Sequence, residues 1–254
     1  MKSNMNNPYS LEGKTILVTG SSSGIGREIA LQCALCGANV IVTGRNQERT
    51  EGALASLDAS AGQTHKCVVT DLNTDEGIKV LVSSIDKVDG VVFSAGINDK
   101  YLLKFIKREN AESMFNINVF APILLCKEMV KGKKINNSAS VLFLSSASSV
   151  YATISNALYA SSKGAINSLI RTLALELSSK KIRVNGIMPG MVKTDMLGSY
   201  NLDEEQLENM VKEYPLGRIG ETIDIANIAV FLLSDASSWI TGANIPVDGG
   251  LTLR

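Results

Sequence analysis

The chain has 254 residues, of which 45% are hydrophobic and 20% are charged, and its 25 basic and 25 acidic residues give no formal net charge. A chain of this length and composition buries a core large enough to fold without a disulfide or metal staple. The balanced charge gives no electrostatic sign of nucleic-acid binding, and no uninterrupted apolar run approaches the roughly 18 residues of a membrane span.

The first ten residues are polar and lack the apolar core of a signal peptide, so we expect residues 1–10 to form a flexible tail on a cytoplasmic protein. From residue 11 to residue 254, short β-rich runs alternate with longer helical patterns. This alternation predicts one α/β domain, a doubly wound Rossmann fold whose seven-stranded parallel sheet carries helices on both faces. The predicted strands are Thr15–Thr19, Val40–Thr43, His65–Thr70, Gly90–Phe93, Val141–Ser145, Arg183–Met188 and Asn244–Val247. The main predicted helices are Gly24–Cys36, Arg108–Lys131, Leu158–Lys180 and Ile223–Ser234.

The first strand leads into a glycine-rich turn with Gly20, Gly24 and Gly26. Glycine lets the backbone turn tightly and approach a pyrophosphate, whose charge faces the exposed N–H groups at the start of the helix. The turn therefore predicts a dinucleotide cradle, and an ordinary glycine turn with capping serines is the alternative. The other cradle candidates are Ser22, Ser23 and Ile25.

The helix after the cradle ends with Cys33 and Cys36. A redox cysteine pair is usually activated at a helix N-terminus, whereas the dipole at a C-terminal end opposes the thiolate. We therefore interpret these residues as packing cysteines in a reducing compartment. Because the chain has only four Cys and the single His65, we expect no metal site.

The second strand ends at Gly44, and Arg45 follows it. An acid at this position binds the adenosine 2′-hydroxyl of NAD(H), whereas an arginine binds a 2′-phosphate and stacks on adenine. Arg45 therefore predicts a preference for NADP(H) over NAD(H). A solvated arginine at the start of a helix is the alternative.

The helical run Arg108–Lys131 contains Asn118 and Pro122. Because proline has no N–H and crowds the carbonyl four residues earlier, we expect a kink that frees the main-chain carbonyl of Asn118. Our hypothesis is that a water held there links Lys163 to solvent as a proton relay.

Tyr159 and Lys163 are four residues apart on a predicted helix and therefore share a face. Lowering a phenol pKa from about 10 to near 7 takes roughly 4 kcal/mol. An exposed ion pair supplies at most about 1 kcal/mol, so we expect Lys163 to be shielded and to act with the positive nicotinamide ring. Ser146, just past a strand, is placed to hold the substrate oxygen beside Tyr159; a capping serine is the alternative.

Residues 195–218 carry an amphipathic pattern that predicts a helix closing over the site as a lid. A surface helix packed permanently on the core is the alternative. The residues predicted to line the substrate pocket are Ser148, Tyr151, Ile154, Met191, Met196 and Tyr200.

From about Leu11 onwards, these motifs make the chain similar to the compact branch of the short-chain dehydrogenase/reductase family, and within it to 3-oxoacyl-[acyl-carrier-protein] reductase-like members. The resemblance implies hydride transfer between NADP(H) and a carbonyl or secondary alcohol. It implies that Tyr159 gives the proton, Ser146 polarises the carbonyl and Lys163 orients the cofactor ribose, with Asn118 completing a catalytic tetrad. One departure is Ser94, where the family usually has Asn. The further cofactor contacts that the resemblance implies are Asp71, Leu72, Ser94, Ala95, Gly96, Pro189, Gly190, Val192 and Thr194.

The resemblance also implies a homotetramer or homodimer formed through the helices Arg108–Lys131 and Leu158–Lys180. An acyl-carrier protein is a further possible partner, and solvated lysines are the alternative explanation of the basic residues that would receive it. Reductases of keto-sugars, quinones or steroid-like carbonyls remain open, as does a non-catalytic NADP(H)-binding sensor. The lysines in question are Lys133, Lys134, Lys180 and Lys181.

Overall fold

The computed structural model describes residues 7–195 and 203–253. Within these ranges, seven parallel strands form one sheet in the order β3-β2-β1-β4-β5-β6-β7. The predicted Rossmann topology is therefore confirmed. The strands are β1 (Thr15–Thr19), β2 (Asn39–Gly44), β3 (Lys66–Val69), β4 (Val88–Phe93), β5 (Ile135–Leu144), β6 (Arg183–Pro189) and β7 (Asn244–Val247).

Helices cover both faces of this sheet, as expected for parallel strands that are apolar on both sides. Leu17 of β1 packs into a core cluster on one face, where α3, α5 and α6 lie. Its neighbours Ile16 and Val18 point the opposite way, into a second cluster with α1 and α8. The helices are α1 (Gly24–Leu35), α2 (Gln47–Ala55), α3 (Asp75–Ser84), α4 (Arg108–Phe115), α5 (Ala121–Lys131), α6 (Ala157–Glu176), α7 (Glu204–Lys212) and α8 (Thr222–Leu233).

The predicted helix Arg108–Lys131 is not a continuous α-helix. A π-helical turn, Asn116–Phe120, separates α4 from α5, and the Ala121 N–H bonds to the Asn116 carbonyl. Pro122 lacks the N–H that would continue the α-helical ladder, so the interruption expected at Asn118 takes the form of a wider turn.

By length and composition alone, the run Arg108–Lys131 is apolar enough to cross a membrane. Leu125 and Met129 on this run are fully buried in the core beside the sheet. The run is therefore explained as a core helix of the fold.

The helix predicted over Leu158–Lys180 ends earlier, at Glu176. Ser178–Lys180 forms a short 3₁₀ turn, and Lys181 then adopts a left-handed backbone with φ of 57°. The positive φ ends the helical path and turns the chain into β6.

The described part of the predicted N-terminal tail, residues 7–10, lies against the fold. The Pro8 carbonyl accepts a hydrogen bond of 3.0 Å from the Ala236 N–H. The ring of Tyr9 packs at 6.2 Å from that of Phe231. The prediction of flexibility for residues 1–6 lies outside the described residues.

Cys33 and Cys36 are free thiols in the last turns of α1 and at its C-cap. Burial raises the pKa of both thiols, most strongly that of Cys33. A raised pKa disfavours the reactive thiolate, in agreement with packing cysteines.

Candidate active site

A cleft of about 940 Å³ lies at the carboxyl ends of the strands, where β1 has β2 on one side and β4 on the other. This is the switch in strand order at which doubly wound sheets bind ligands. Apart from Asn118 and Ile154, every predicted site residue that the structure describes lines this cleft. The fold thus brings the predicted cradle and the predicted proton-transfer residues together.

The glycine turn allows two loops to touch at the floor of the cleft. A Cβ on Gly20, whose φ is +64°, would lie 2.7 Å from the Ala95 Cα, and a Cβ on Gly26 would lie 2.4 Å from the Gly20 carbonyl oxygen. Within the described residues, the N-cap Ser23 makes no side-chain capping bond. The first N–H groups of α1 are therefore not capped by that side chain, which fits a pyrophosphate at this helix N-terminus.

Two arginines line the end of the cleft beside β2. Arg45 follows β2, and Arg49 lies one turn later in α2. The Ser22 hydroxyl approaches the same strand end, where it lies 3.1 Å from the position of a Cβ on Gly44. Two guanidinium groups fit a 2′-phosphate well. Sequence reasoning missed Arg49, which reaches the cleft from the first turn of α2.

Asp71 and Leu72 follow β3 and line the same end of the cleft. The Asp71 carboxylate accepts a 3.0 Å hydrogen bond from the Asn73 N–H, which closes a turn at this strand end. Because β3 pairs with β2, the pair lies at the same end of the cleft as Arg45 and Arg49.

The loop at Ser94, where the family usually has Asn, is held in place by hydrogen bonds to Thr19. The Thr19 hydroxyl accepts the Ser94 N–H at 3.1 Å and the Ala95 N–H at 3.4 Å. Thr19 in turn donates to the Val92 carbonyl at 3.3 Å. A threonine from β1 therefore braces the loop that runs through Gly96.

Lys163 is buried on α6, with 6% of its surface exposed. Its ammonium donates a 2.7 Å hydrogen bond to the Leu144 carbonyl and lies 5.6 Å from the centroid of the Tyr159 ring. Burial lowers the pKa of Lys163 to about 8. The lysine is therefore shielded, as the sequence analysis requires, and it lies beside the tyrosine.

Ser146 both caps a turn and lines the cleft. Its hydroxyl oxygen accepts a 3.1 Å hydrogen bond from the Ser148 N–H, which caps the 3₁₀ turn Ala147–Ser149. Accepting this bond uses one lone pair and leaves the O–H hydrogen to donate. The capping and the functional interpretations of Ser146 are therefore compatible.

Asn118 lies behind the cleft and is 2% exposed. Its side-chain oxygen accepts from the Ile97 N–H and its side-chain nitrogen donates to the Ile97 carbonyl, both at 2.9 Å. It also donates to the Ser162 hydroxyl at 3.1 Å. These bonds make Asn118 a clamp on the loop after β4, next to Gly96.

The loop after β6 closes the cleft from the opposite side. The Met191 N–H donates to the Tyr214 hydroxyl at 2.9 Å. A Cβ on Gly24 would lie 3.4 Å from the Thr194 side chain, so this loop reaches the cradle. The predicted loop residues that line the cleft are Pro189, Gly190, Met191, Val192 and Thr194.

The predicted substrate pocket is partly reproduced. Ser148, Tyr151 and Met191 line the cleft, but Ile154 is 84% exposed and is not among the lining residues. Met196 and Tyr200 lie outside the described residues. Part of the predicted lid segment forms α7, and Met210 and Tyr214 of this segment line the cleft as a lid requires. Sequence reasoning missed other lining residues: Asn98, Thr153, Asn156, Glu213 and Leu251.

The four lysines considered for carrier docking lie away from this cleft. Lys133 and Lys134 precede β5, and Lys180 and Lys181 precede β6, so all four are at the amino edge of the sheet. Strand β5 has ten residues, which span roughly 30 Å at 3.3 Å each. These lysines therefore do not flank the mouth of the cleft in the same chain.

The known proteins to which this chain is similar are named as reductases and dehydrogenases. A family model described as "Enoyl-(Acyl carrier protein) reductase" matches residues 20–252. The 3-oxoacyl-[acyl-carrier-protein] reductase of Rickettsia bellii (strain RML369-C) is 34% identical over 243 residues, covering 96% of this chain and 98% of that protein. The glucose 1-dehydrogenase of Gluconobacter oxydans (strain 621H) is 34% identical over 248 residues, covering 95% of this chain and 92% of that protein.

A solved structure with bound NADP is also similar. It is a candidate 2-deoxy-d-gluconate 3-dehydrogenase from Agrobacterium tumefaciens, with 28% sequence identity and a TM-score of 0.88. The match covers 98% of this chain and 100% of that one.

Proposed function

Because the chain belongs to the short-chain dehydrogenase/reductase family of oxidoreductases, we propose that it transfers hydride between NADP(H) and a carbonyl or secondary alcohol. One observation carries this proposal: a single cleft is lined by the glycine cradle and by Ser146, Tyr159 and Lys163. The non-catalytic sensor is disfavoured because all three proton-transfer candidates are present.

The residues of the cleft fit the proposed cofactor. Gly20, Gly24 and Gly26 would hold the pyrophosphate, and Arg45 and Arg49 would hold the 2′-phosphate. When bound, NADPH supplies the hydride that reduces the carbonyl carbon. Asp71 and Leu72 would border the adenine, and the loops Ser94–Gly96 and 189–194 would border the nicotinamide.

The proton chemistry falls to three side chains. Ser146 donates its free O–H to the substrate oxygen, which stabilises the negative charge that develops there. Tyr159 gives its phenolic proton to the same oxygen. The Lys163 cation beside the Tyr159 ring favours the phenolate that remains, because opposite charges within a few ångströms stabilise one another.

We propose that Asn118 acts as a positioning residue. Its double hydrogen bond to Ile97 fixes the loop that holds Gly96, and Gly96 borders the Lys163 ammonium. We also propose that a water held by the Asn118 main-chain carbonyl links Lys163 to solvent as a proton relay.

The test of the function is the substitution Tyr159→Phe. It removes one hydroxyl and keeps the ring, so we expect NADPH binding to persist and NADPH-dependent ketone reduction to fall by about 10²-fold or more. Cofactor binding is followed by nicotinamide fluorescence and turnover by NADPH absorbance. Turnover near the wild-type value would show that Tyr159 is not the proton donor.

Two substrate classes are proposed for this activity. The relative from Rickettsia bellii acts, by its name, on 3-oxoacyl carrier-protein thioesters, which favours a 3-oxoacyl thioester and an acyl-carrier protein as partner. Lys133, Lys134, Lys180 and Lys181 do not support docking of such a carrier at this chain's own cleft. The second class is a hydroxylated carbonyl compound, which the relative from Gluconobacter oxydans and the polar residues of the pocket favour.

We also propose a cytoplasmic homo-oligomer. Phe120, between α4 and α5, and Leu175 on α6 are 50% and 78% exposed on the helices that the sequence analysis assigned to subunit contact. Covering such apolar side chains is favourable. Sedimentation of the purified protein as a monomer would reject this part of the proposal.

A further inference from the structure

Asn156, at the start of α6, is buried and has an unused hydrogen-bonding atom. It is 5% exposed, and its side-chain oxygen has no hydrogen-bond partner among the described residues. Buried polar atoms are nearly always paired in native proteins, so an unpaired one requires an explanation. Asn156 also lines the cleft, which places this acceptor where a ligand can reach it.

Helix capping does not account for this side chain among the described residues. Asn156 is the N-cap residue of α6, and asparagine is among the best N-cap residues because its side chain accepts an N–H from the first turn. Within the described residues, Asn156 makes no such capping bond. Its main-chain carbonyl accepts the Ala160 N–H at 2.8 Å.

The position of Asn156 along α6 separates it from the cofactor side of the cleft. Tyr159 lies three residues later and Lys163 four residues after that, so the three residues follow one face at one-turn intervals. Lys163 lies beside Gly96 in the predicted cofactor loop. Asn156 is therefore on the far side of Tyr159 from Lys163 and Gly96, about 4.5 Å along the helix axis from the tyrosine.

The surroundings on this side of Tyr159 are polar. Asn98, which also lines the cleft, has a second buried side-chain oxygen that lacks a partner in the described part of the chain. Its loop is joined to the loop before α6 by a 2.9 Å hydrogen bond from the Tyr101 N–H to the Ser155 carbonyl. Thr153 completes this part of the lining. Two acceptors on joined loops suit a substrate that brings its own donors.

We propose that Asn156 is a substrate-specificity residue, and that its side-chain oxygen accepts a hydroxyl of a hydroxylated ketone whose carbonyl is held by Ser146 and Tyr159. This inference rests on the proposed reductase function and chooses between its two substrate classes. A site with buried acceptors discriminates against analogues that lack the hydroxyl, because those acceptors then stay unpaired.

The experiment compares two ketones with one carbon skeleton, 1,3,4-trihydroxybutan-2-one and butan-2-one. With saturating NADPH, we expect kcat/KM of the wild-type protein for the trihydroxyketone to exceed that for butan-2-one by about ten- to a hundred-fold. Asn156→Leu, which replaces the amide by an apolar group of similar size, should reduce this ratio about ten-fold or more. The loss should fall on the hydroxylated ketone.

Asn167→Leu is the matched control. Asn167 lies on the same helix and also has an unpaired buried side-chain oxygen within the described residues, but it is not among the lining residues of the cleft. Its substitution is expected to keep the substrate ratio while reporting any general damage to α6. A wild-type ratio near one, or an equal loss for both ketones in Asn156→Leu, would overturn the inference.

The wild-type protein separates failure of the inference from failure of the reductase function. Reduction of butan-2-one or of a 3-oxoacyl thioester without preference for the hydroxylated ketone rejects the role of Asn156 alone. Fluorescence that shows bound NADPH, together with no reduction of either ketone or of the thioester, rejects the reductase function itself.

Discussion

Burial of the Lys163 ammonium should make the protein less stable at neutral pH than it is at high pH. The pKa of Lys163 is about 8 in the fold against an ordinary 10.5. At roughly 1.4 kcal/mol per pKa unit, this gap corresponds to about 3 kcal/mol. Since the unfolded chain keeps the proton between these two pKa values and the folded chain does not, stability rises with pH across this window. The destabilisation caused by burying the charge is therefore complete below about pH 8 and absent above about pH 10.5.

The assay is urea unfolding of the cofactor-free protein and of Lys163→Met between pH 7 and pH 10. We expect the free energy of unfolding of the wild type, relative to Lys163→Met, to rise by about 2–3 kcal/mol over this range. Taking the difference between the two proteins cancels the other titrating groups. The lost Lys163–Leu144 hydrogen bond shifts the difference at every pH by a similar amount, so it does not affect the slope.

Lys180→Met serves as the matched control, because Lys180 is an exposed lysine. Its free energy of unfolding should stay parallel to that of the wild type from pH 7 to pH 10. A difference between wild type and Lys163→Met that does not change with pH would refute the reasoning.

Two other predictions follow from the cleft. Arg45→Ala should lower kcat/KM with NADPH about ten-fold or more and leave kcat/KM with NADH little changed. The control Arg27→Ala, on the exposed surface of α1, should change neither value. An unchanged cofactor preference in Arg45→Ala would contradict the assignment of Arg45 to the 2′-phosphate. Gly26→Ala should abolish NADPH binding measured by fluorescence, because its Cβ would meet the Gly20 carbonyl at 2.4 Å. Gly52→Ala, in the open surface of α2, should instead raise the free energy of unfolding by about 0.5–1 kcal/mol. Equal NADPH binding by Gly26→Ala and Gly52→Ala would contradict the steric argument for Gly26.

The sheet and the cradle could be predicted because their signals are local. Val-, Ile- and Leu-rich runs of four to six residues between helical patterns correspond to buried parallel strands. The first and last predicted strands, Thr15–Thr19 and Asn244–Val247, match the structure residue for residue. The glycines of the cradle and the interruption at Pro122 follow from backbone sterics, which depend on the residue type and its neighbours.

Other features depend on which residues meet in space, which the sequence does not show. Arg49 lines the nucleotide end because α2 starts at Gln47, three residues after β2 ends at Gly44. Lys133 and Lys180 resemble a basic docking surface in the sequence, but the strand direction places them at the edge opposite to the cleft. The shortened end of α6 depends on the left-handed backbone of Lys181, a residue type that gives no warning of positive φ.

The groups that the fold leaves unsatisfied are concentrated at the cleft. Among the described residues, five buried side-chain oxygens have no hydrogen-bond partner, and three of them belong to residues of the cleft lining, Thr43, Asn98 and Asn156. Lys163, whose burial opposes its charge, lies in the same lining. Folding alone gains nothing from unpaired oxygens and a desolvated ammonium, because each lowers stability. Their grouping in one cleft is expected if binding of nucleotide and substrate supplies the missing partners, and it connects the proposed roles of Lys163 and Asn156 through one physical cause.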